Sequence, residues 1–324
     1  MNLYYNGVDI YKDVSVNYCV HEMYAEKQAD TLVIRFNDTK GVWSKWNPAT
    51  GDEIRFIEGA SDSGKMFIHS MHPENGLYTI RAMSMPKSGA TKKSRSWEGV
   101  RFLQIGNEVA ANHGLTFQNY GCVDQVYPYL KQDKETDFAL FSRLCTQEGY
   151  QMLIYDGKLL AYNEQYIESQ TPAGELTVDL NGNFIYHDDR GACFGSCEIS
   201  SGGYSGKFTA PDAKNTVVLR PRTIAEAQRR VPGLPLSHDQ STIQCTSNSE
   251  AARFSKGLLR NINKYGRTGR LTKSLLTGYA AASLLRLKTP KASAWDGPVF
   301  VYKVRHDFVG NKTTLYFRDL LEGY

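Results

Sequence analysis

Near its amino terminus the chain reads Val14-Ser15-Val16-Asn17-Tyr18-Cys19-Val20, in which larger apolar residues alternate with smaller or polar ones. This alternation of period two puts successive side chains on opposite faces of an extended chain and is typical of a half-buried β-strand. Similar short runs, separated by Gly, Asn, Asp and Pro, follow at residues 32–36, 54–57, 66–68 and 77–80. Residues 1–95 are therefore predicted to form an antiparallel β-barrel or sandwich.

The pattern changes over residues 96–170, after a segment at 86–95 that is rich in Lys and Ser and is expected to be exposed and mobile. Apolar residues at helical spacing predict one helix over residues 97–113 and another over about 135–148, which ends at Gly149. Two apolar runs separated by Asp156-Gly157 predict a hairpin. This part of the chain is predicted to be a small α/β module.

Alternation returns over residues 171–324, with a Pro-rich loop at 221–235 and one helix at about 247–265. Ser247 followed by Glu250 is a capping box that predicts the start of this helix. Its apolar stripe of Phe254, Leu258 and Ile262 is expected to pack on a second β-barrel. The predicted fold class is α+β, mainly β, with two antiparallel β-barrels and the small α/β module between them.

Size and composition fit a folded protein of several domains. The chain has 324 residues and 36.4 kDa, of which 41% are hydrophobic and 22% charged. These values suggest two or three domains and exclude a disordered chain. The most apolar segment, residues 275–287, is too short and too interrupted to cross a bilayer. The start of the chain has no basic segment followed by an apolar one, so we expect no signal peptide and assembly in the cytoplasm.

Charge is distributed unevenly along the chain. The net charge is +4, but fifteen Lys and Arg against three Asp and Glu lie between Lys214 and Lys291. A nucleic-acid surface is one interpretation, but these charges form no run of five and lack aromatic interleaving of the kind on which single strands stack. An acidic protein partner or simple solvation is the favoured reading, with no sequence-specific nucleic acid. A partner interface is predicted on the charged face of the 247–265 helix, at Arg253, Lys256, Arg260 and Lys264.

Motifs that would carry chemistry are weak, and no catalytic residue, cofactor or metal is predicted. Residues 59–65 have the spacing of a phosphate-binding loop, but Met66 replaces the Ser or Thr that would hold Mg²⁺, and a strand pattern follows instead of a helix. Cys193 and Cys197 are weak metal candidates, because two ligands do not make a site. The six cysteines are expected to be reduced, buried thiols. A carboxylate enzyme that uses Asp188 or Asp189 is the weakest alternative.

Several short strings in order along the chain resemble the phage late control gene D family, the baseplate hub proteins of contractile tails. They are Ala29-Asp30-Thr31-Leu32-Val33-Ile34-Arg35-Phe36-Asn37-Asp38, Trp43-Ser44-Lys45-Trp46, Gly51-Asp52-Glu53-Ile54, Gly64-Lys65-Met66-Phe67-Ile68, Arg95-Ser96-Trp97-Glu98-Gly99, residues 138–150 with Asp156-Gly157-Lys158-Leu159, Tyr204-Ser205-Gly206-Lys207-Phe208 and Val304-Arg305-His306-Asp307-Phe308. The resemblance implies two tail-tube-like barrels and a structural, non-enzymatic role.

The resemblance also implies partners and a location. Three chains with two similar barrels each would give six barrels, and such a trimer could adapt a sixfold tail tube to a trimeric central spike. The implied partners are the spike, the tail tube or tube-initiator protein, the tape-measure protein and the baseplate wedge, all in a virion tail baseplate. The alternative is a β-barrel module that binds carbohydrate or protein and has no tail role. It is supported only by the 20 Tyr and 4 Trp, which could stack on sugars.

Overall fold

The computed structural model describes residues 1–178, 183–211, 215–221, 243–289 and 295–324. These residues contain five α-helices: α1 (Val42–Trp46), α2 (Phe102–Asn112), α3 (Asp137–Glu148), α4 (Glu164–Glu168) and α5 (Asn248–Asn263). Their strands are β1 (Asn2–Tyr5), β2 (Val8–Asp9), β3 (Ser15–Tyr24), β4 (Thr31–Asn37), β5 (Glu53–Glu58), β6 (Ser61–Asp62), β7 (Met66–Glu74), β8 (Leu77–Met83), β9 (Lys92–Arg101), β10 (Thr116–Tyr120), β11 (Val126–Thr136), β12 (Tyr150–Tyr155), β13 (Lys158–Asn163), β14 (Glu175–Thr177), β15 (Asn183–Asp188), β16 (Ser196–Ser201), β17 (Tyr204–Thr209), β18 (Val218–Leu219), β19 (Arg267–Ser274), β20 (Ser283–Lys288), β21 (Gly297–Asp307) and β22 (Lys312–Arg318).

One sheet of fourteen strands dominates the molecule. Its main path is β15-β19-β22-β21-β3-β4-β8-β7-β5-β1-β2, with β6 beside β5 and with β20 and β14 branching from β21. All pairings in it are antiparallel except that of β14 with β20. The alternation read from the sequence sets its inner face, since Leu32, Ile34 and Phe36 of β4 are buried. The predicted mainly β, α+β fold class is confirmed.

The amino-terminal and carboxy-terminal strands meet at the pairing of β3 with β21. This antiparallel seam runs from Val20 opposite Asp307 to Tyr24 opposite Lys303. Its side chains join the hydrophobic cores on either side, because Phe308 packs into the amino-terminal core and Met23 of β3 packs into the carboxy-terminal one. Two separate closed barrels are not confirmed: both regions belong to one sheet, and among the described residues no pairing joins β15 to β2 to close it.

A separate layer is formed by the middle of the chain. Helices α2 and α3 share a hydrophobic core with the sheet β10-β13-β12, and the hairpin at Asp156-Gly157 joins β12 to β13 as predicted. One prediction here is wrong: the helix predicted from Trp97 begins at Phe102. The residues before it belong to β9, whose backbone pairs with β11 along nearly its whole length, and β9 also takes in residues 92–95 of the segment expected to be exposed and mobile.

Helix α5 begins where the capping box predicts: the Ser247 hydroxyl accepts a hydrogen bond from the Glu250 N–H. It lies against the β16–β17 hairpin and against α3, within the same core as the middle module. Phe254 is buried there, but Ile262 is exposed, so the predicted apolar stripe is wrong at its last position. Residues 222–235 of the predicted Pro-rich loop lie outside the described residues. None of the described helices has the length and apolarity that a membrane crossing requires.

Candidate assembly interface

The two ends of the large sheet carry exposed apolar side chains. At one end, β15 pairs only with β19 among the described strands, and Ile185 and Tyr186 are 43% and 54% exposed. At the other end is the two-residue β2, in which Val8 is 63% exposed. An unpaired strand edge with apolar side chains is a template for pairing with another chain. These two ends are the candidate surfaces for edge-to-edge assembly.

The seam between β3 and β21 contains two buried histidines, one from each strand. His306 lies between two hydrogen-bonding groups, with Nδ1 2.8 Å from the Thr313 hydroxyl and Nε2 3.2 Å from the Tyr279 carbonyl. His21 is directly opposite His306, and its buried Nε2 has no hydrogen-bond partner among the described residues. Burial lowers the pKa of both rings, that of His21 to about 3 with a further contribution from His306. The two facing imidazoles are therefore uncharged at neutral pH, whereas Glu22 beside them is paired with Lys303 and Arg305.

A buried ionic cluster ties together elements that are far apart in the sequence. Its acids are Glu26, in the loop after β3, and Glu164 and Glu168 of α4, and its bases are Arg260 of α5, Lys264 just after it and Arg318 of β22. The three carboxylates formally balance the three cations. Burial alone would raise the pKa of Glu164, but Lys264, Arg318 and Arg260 lower it. The cluster fixes α4 and α5 against the large sheet.

Two of the four cations predicted to meet a partner protein belong to this cluster. Arg260 and Lys264 are buried, at 3% and 2% exposure, and are paired with carboxylates of the same chain. Arg253 is paired with the buried Glu148 of α3, with Nε 2.9 Å from Oε2. Lys256 is exposed. The acidic neighbours expected for this face therefore lie largely within the chain, and a partner contact through Lys256 and Arg253 stays a prediction.

The candidate chemical groups are scattered rather than assembled into one site. Cys193 donates to the Asn263 carbonyl, and Cys197 is buried in β16, where burial raises its pKa to about 12. All six cysteines are free thiols in this structure. The described residues contain no group of three or more His, Cys, Asp or Glu placed to hold a metal. Asp188 is exposed and paired with Arg190, which explains its lowered pKa.

The loop with phosphate-binding spacing is a strand connection. Gly59 and Gly64 have φ angles of 56° and 62°, values that favour glycine, and they flank the short strand β6. The chain then enters β7 rather than a helix, so no helix N-terminus faces the loop. The strand context expected from the sequence is confirmed.

An exposed aromatic pair lies beside the amino-terminal core. The rings of Tyr5 and Trp46 are stacked, with centroids 6.5 Å apart, and Trp46 is 37% exposed. Trp43 lies beneath them in an edge-to-face contact with each. This pair is the feature of the described residues that best matches the sugar-stacking alternative.

Sequence reasoning missed the seam and the ionic cluster. Alternation identifies strands but does not state which strands become neighbours, so the pairing of β3 with β21 left no local signal. The spacing of Arg260 and Lys264, four residues apart, placed both on one helix face but did not show that this face is buried. Their burial depends on α4 and on Glu26, more than 90 residues away.

No protein-family model matches the sequence, and no curated protein sequence matches it either. Solved structures do match. A tail protein from Neisseria meningitidis MC58 superposes with a TM-score of 0.72 at 10% identity, covering 98% of this chain and 95% of its own. The 43 kDa tail protein of prophage MuSo2 from Shewanella oneidensis superposes with a TM-score of 0.72 at 12% identity, covering 98% and 97%.

The chain has the fold of phage tail proteins. The phage tail fold extends to an Escherichia coli component of the type VI secretion system, described as structurally similar to the T4 bacteriophage tail proteins gp27 and gp5. That protein matches with a TM-score of 0.60 at 11% identity, covering all of this chain and 78% of its own. The resemblance inferred from the ordered strings is thus confirmed at the level of the phage tail fold.

Proposed function

We propose that the chain is a structural baseplate hub of a contractile phage tail or a related injection machine. In this role it would assemble as a trimer and adapt a sixfold tail tube to a trimeric central spike. The phage tail fold over the whole chain supports a place in a tail or a type VI secretion spike. Its neighbours would be the spike, the tube or tube-initiator protein, the tape-measure protein and the baseplate wedge.

The observation that carries this proposal is the seam between β3 and β21. It joins the amino-terminal and carboxy-terminal β regions edge to edge within one chain, and among the described strands it leaves β15 and β2 at the two ends of the sheet. If copies repeat the same kind of edge contact head to tail, three chains would present six β regions around one axis. This arrangement would also cover the apolar side chains of Ile185 and Val8.

The edge contact can be tested by a charged substitution. Ile185→Lys places a charge on the exposed face of β15 and should prevent the trimer from forming when the chain is co-expressed with a trimeric spike protein. Val123→Lys is the matched control, because Val123 is 57% exposed but lies outside the large sheet. Native mass by light scattering is the readout. An unchanged trimer in Ile185→Lys would exclude this edge from the interface.

A carbohydrate-binding module is the second candidate, favoured only by the Tyr5–Trp46 stack. Trp46→Ala removes the exposed ring of this stack. A glycan array that detects binding by the wild-type chain and loses it in Trp46→Ala would support this candidate. Absence of glycan binding together with self-assembly would support the hub.

A further inference from the structure

A cavity of about 340 Å³ lies where the three parts of the chain meet. Its walls come from the end of β3, the β5–β6 turn, the β12–β13 hairpin and the segment before β20. Its volume falls within the range of small-ligand pockets, and its lining is mostly apolar. No residue of β15 or β2 lines this cavity, so a ligand bound here is independent of the proposed edge-to-edge assembly.

One buried carboxylate lines this cavity and has no cationic partner among the residues that the structure describes. Asp30 is 5% exposed, and its Oδ1 accepts a hydrogen bond of 2.8 Å from the Tyr24 N–H. Its Oδ2 receives no hydrogen bond from the described part of the chain. Two other buried acids, Glu26 and Glu164, are by contrast each paired with Lys264. A buried carboxylate without a cation is unfavourable unless something else compensates its charge.

Several other polar groups of the lining are already engaged within the chain. Asp62, the other carboxylate there, is held by Arg55, with Nε 2.9 Å from Oδ1. The Tyr155 hydroxyl donates to the Asp62 carbonyl, and the Tyr162 hydroxyl donates to the Ala25 carbonyl. The tyrosines therefore offer the cavity mainly their rings, whose faces attract cations. The Oδ2 atom of Asp30 is available as a charged acceptor for a ligand.

We propose that this cavity binds an organic cation, an ammonium or guanidinium group on a short apolar stem, with its charge at Asp30. The carboxylate would provide a charge-assisted hydrogen bond, and the tyrosine rings and small apolar residues would enclose the stem. The ligand is either a free amine or the Lys or Arg side chain of a partner protein, since both carry the same group.

The test uses n-butylammonium, and 1-butanol as the neutral control of the same shape, with the full chain in ligand-observed NMR and calorimetry. Measurements are made at about pH 8, because burial raises the pKa of Asp30 to about 7 and the carboxylate must be ionised. We expect saturable binding of n-butylammonium and none of 1-butanol. Asp30→Asn keeps the shape of the side chain and should weaken binding at least about tenfold.

A second variant leaves Asp30 intact and fills the space. Ala60 is exposed and lines the cavity, so Ala60→Leu should keep the fold and also weaken n-butylammonium binding. Acetyl-lysine and acetyl-arginine amides are measured in parallel. Tighter binding of these amides than of n-butylammonium would identify a partner side chain as the ligand. Tighter binding of n-butylammonium than of the amides would identify a free amine. No saturable binding by the wild type, or equal binding by wild type and Asp30→Asn, overturns the proposal.

Discussion

His21 of β3 and His306 of β21 are directly opposite each other in the antiparallel seam that joins the two β regions of the chain. Burial lowers the pKa of both, so each is neutral in the folded protein and free to be protonated in the unfolded chain. The folded protein should therefore lose unfolding free energy in acid, because protons bind more readily to these histidines in the unfolded chain.

The first prediction concerns this acid sensitivity. The unfolded histidines titrate near pH 6.5, above the folded values, so the folded state loses stability as the pH falls below about 6.5. The slope should reach about 1.4 kcal/mol per pH unit for each histidine that stays neutral in the folded state. Urea unfolding between pH 7.5 and 5 should show a shallower pH dependence for His21→Leu than for wild type. His69→Leu, on an exposed position of β7, is the control; equal slopes for all three proteins would contradict the assignment.

The second prediction concerns Asp30 and has the opposite sign. Burial raises its folded pKa to about 7, well above that of an unfolded aspartate, so the folded state binds the proton more tightly. Its contribution to the free energy of unfolding should be largest below about pH 4 and should fall as the pH rises to about 7. Asp30→Asn removes this term, so the difference in stability between variant and wild type should change with pH over that interval. A difference that is constant with pH would contradict a buried, protonated Asp30.

The third prediction concerns the buried ionic cluster. Lys264→Met leaves the Glu26 and Glu164 carboxylates buried with one cation fewer, and should cost about 3–5 kcal/mol of unfolding free energy. Lys256→Met changes an exposed lysine of α5 and should alter stability by no more than about 0.5 kcal/mol. Chemical denaturation of both variants compares them directly. Equal losses of unfolding free energy in the two variants would mean that Lys264 stabilises the protein no more than an exposed lysine does.

The fourth prediction concerns the close approach of α5 to α3. A Cβ at Gly257 would lie 2.3 Å from the Gln147 carbonyl oxygen and 2.5 Å from the Gly149 nitrogen, both backbone atoms that cannot move alone. Gly257→Ala should therefore destabilise the protein by about 1–3 kcal/mol or more. Gly191→Ala, where a Cβ has open space, is the control and should be tolerated. Equal melting temperatures of the two variants would contradict this close contact between α5 and α3.

The sequence predicted local structure well where one residue determines the backbone. Ser247 and Glu250 predicted the start of α5, and Asp156-Gly157 predicted the β12–β13 hairpin, with φ angles of 48° and 71° at the turn. Propensity did not predict β9, because a Lys- and Ser-rich segment forms a strand only through its pairing with β11.

Features that depend on distant residues were not predictable from local patterns. The contacts of Arg260 and Lys264 with Glu164 join residues about 100 positions apart, so their charge alone suggested a solvent-facing or partner-facing surface. Asp30 stands out in the sequence only as part of the string Ala29 to Asp38, which resembles the late control gene D family. Its position in the cavity depends on how β3, β12 and the β5–β6 turn converge. Tertiary packing, rather than local propensity, determines the burial of Arg260 and Lys264 and that of Asp30.

The trimeric hub is tested most directly by the native mass of the chain co-expressed with a trimeric spike protein, measured by light scattering. The account predicts a complex with three chains of 36.4 kDa for each spike trimer. A chain that stays a strict monomer, both alone and in the presence of the spike, would contradict it.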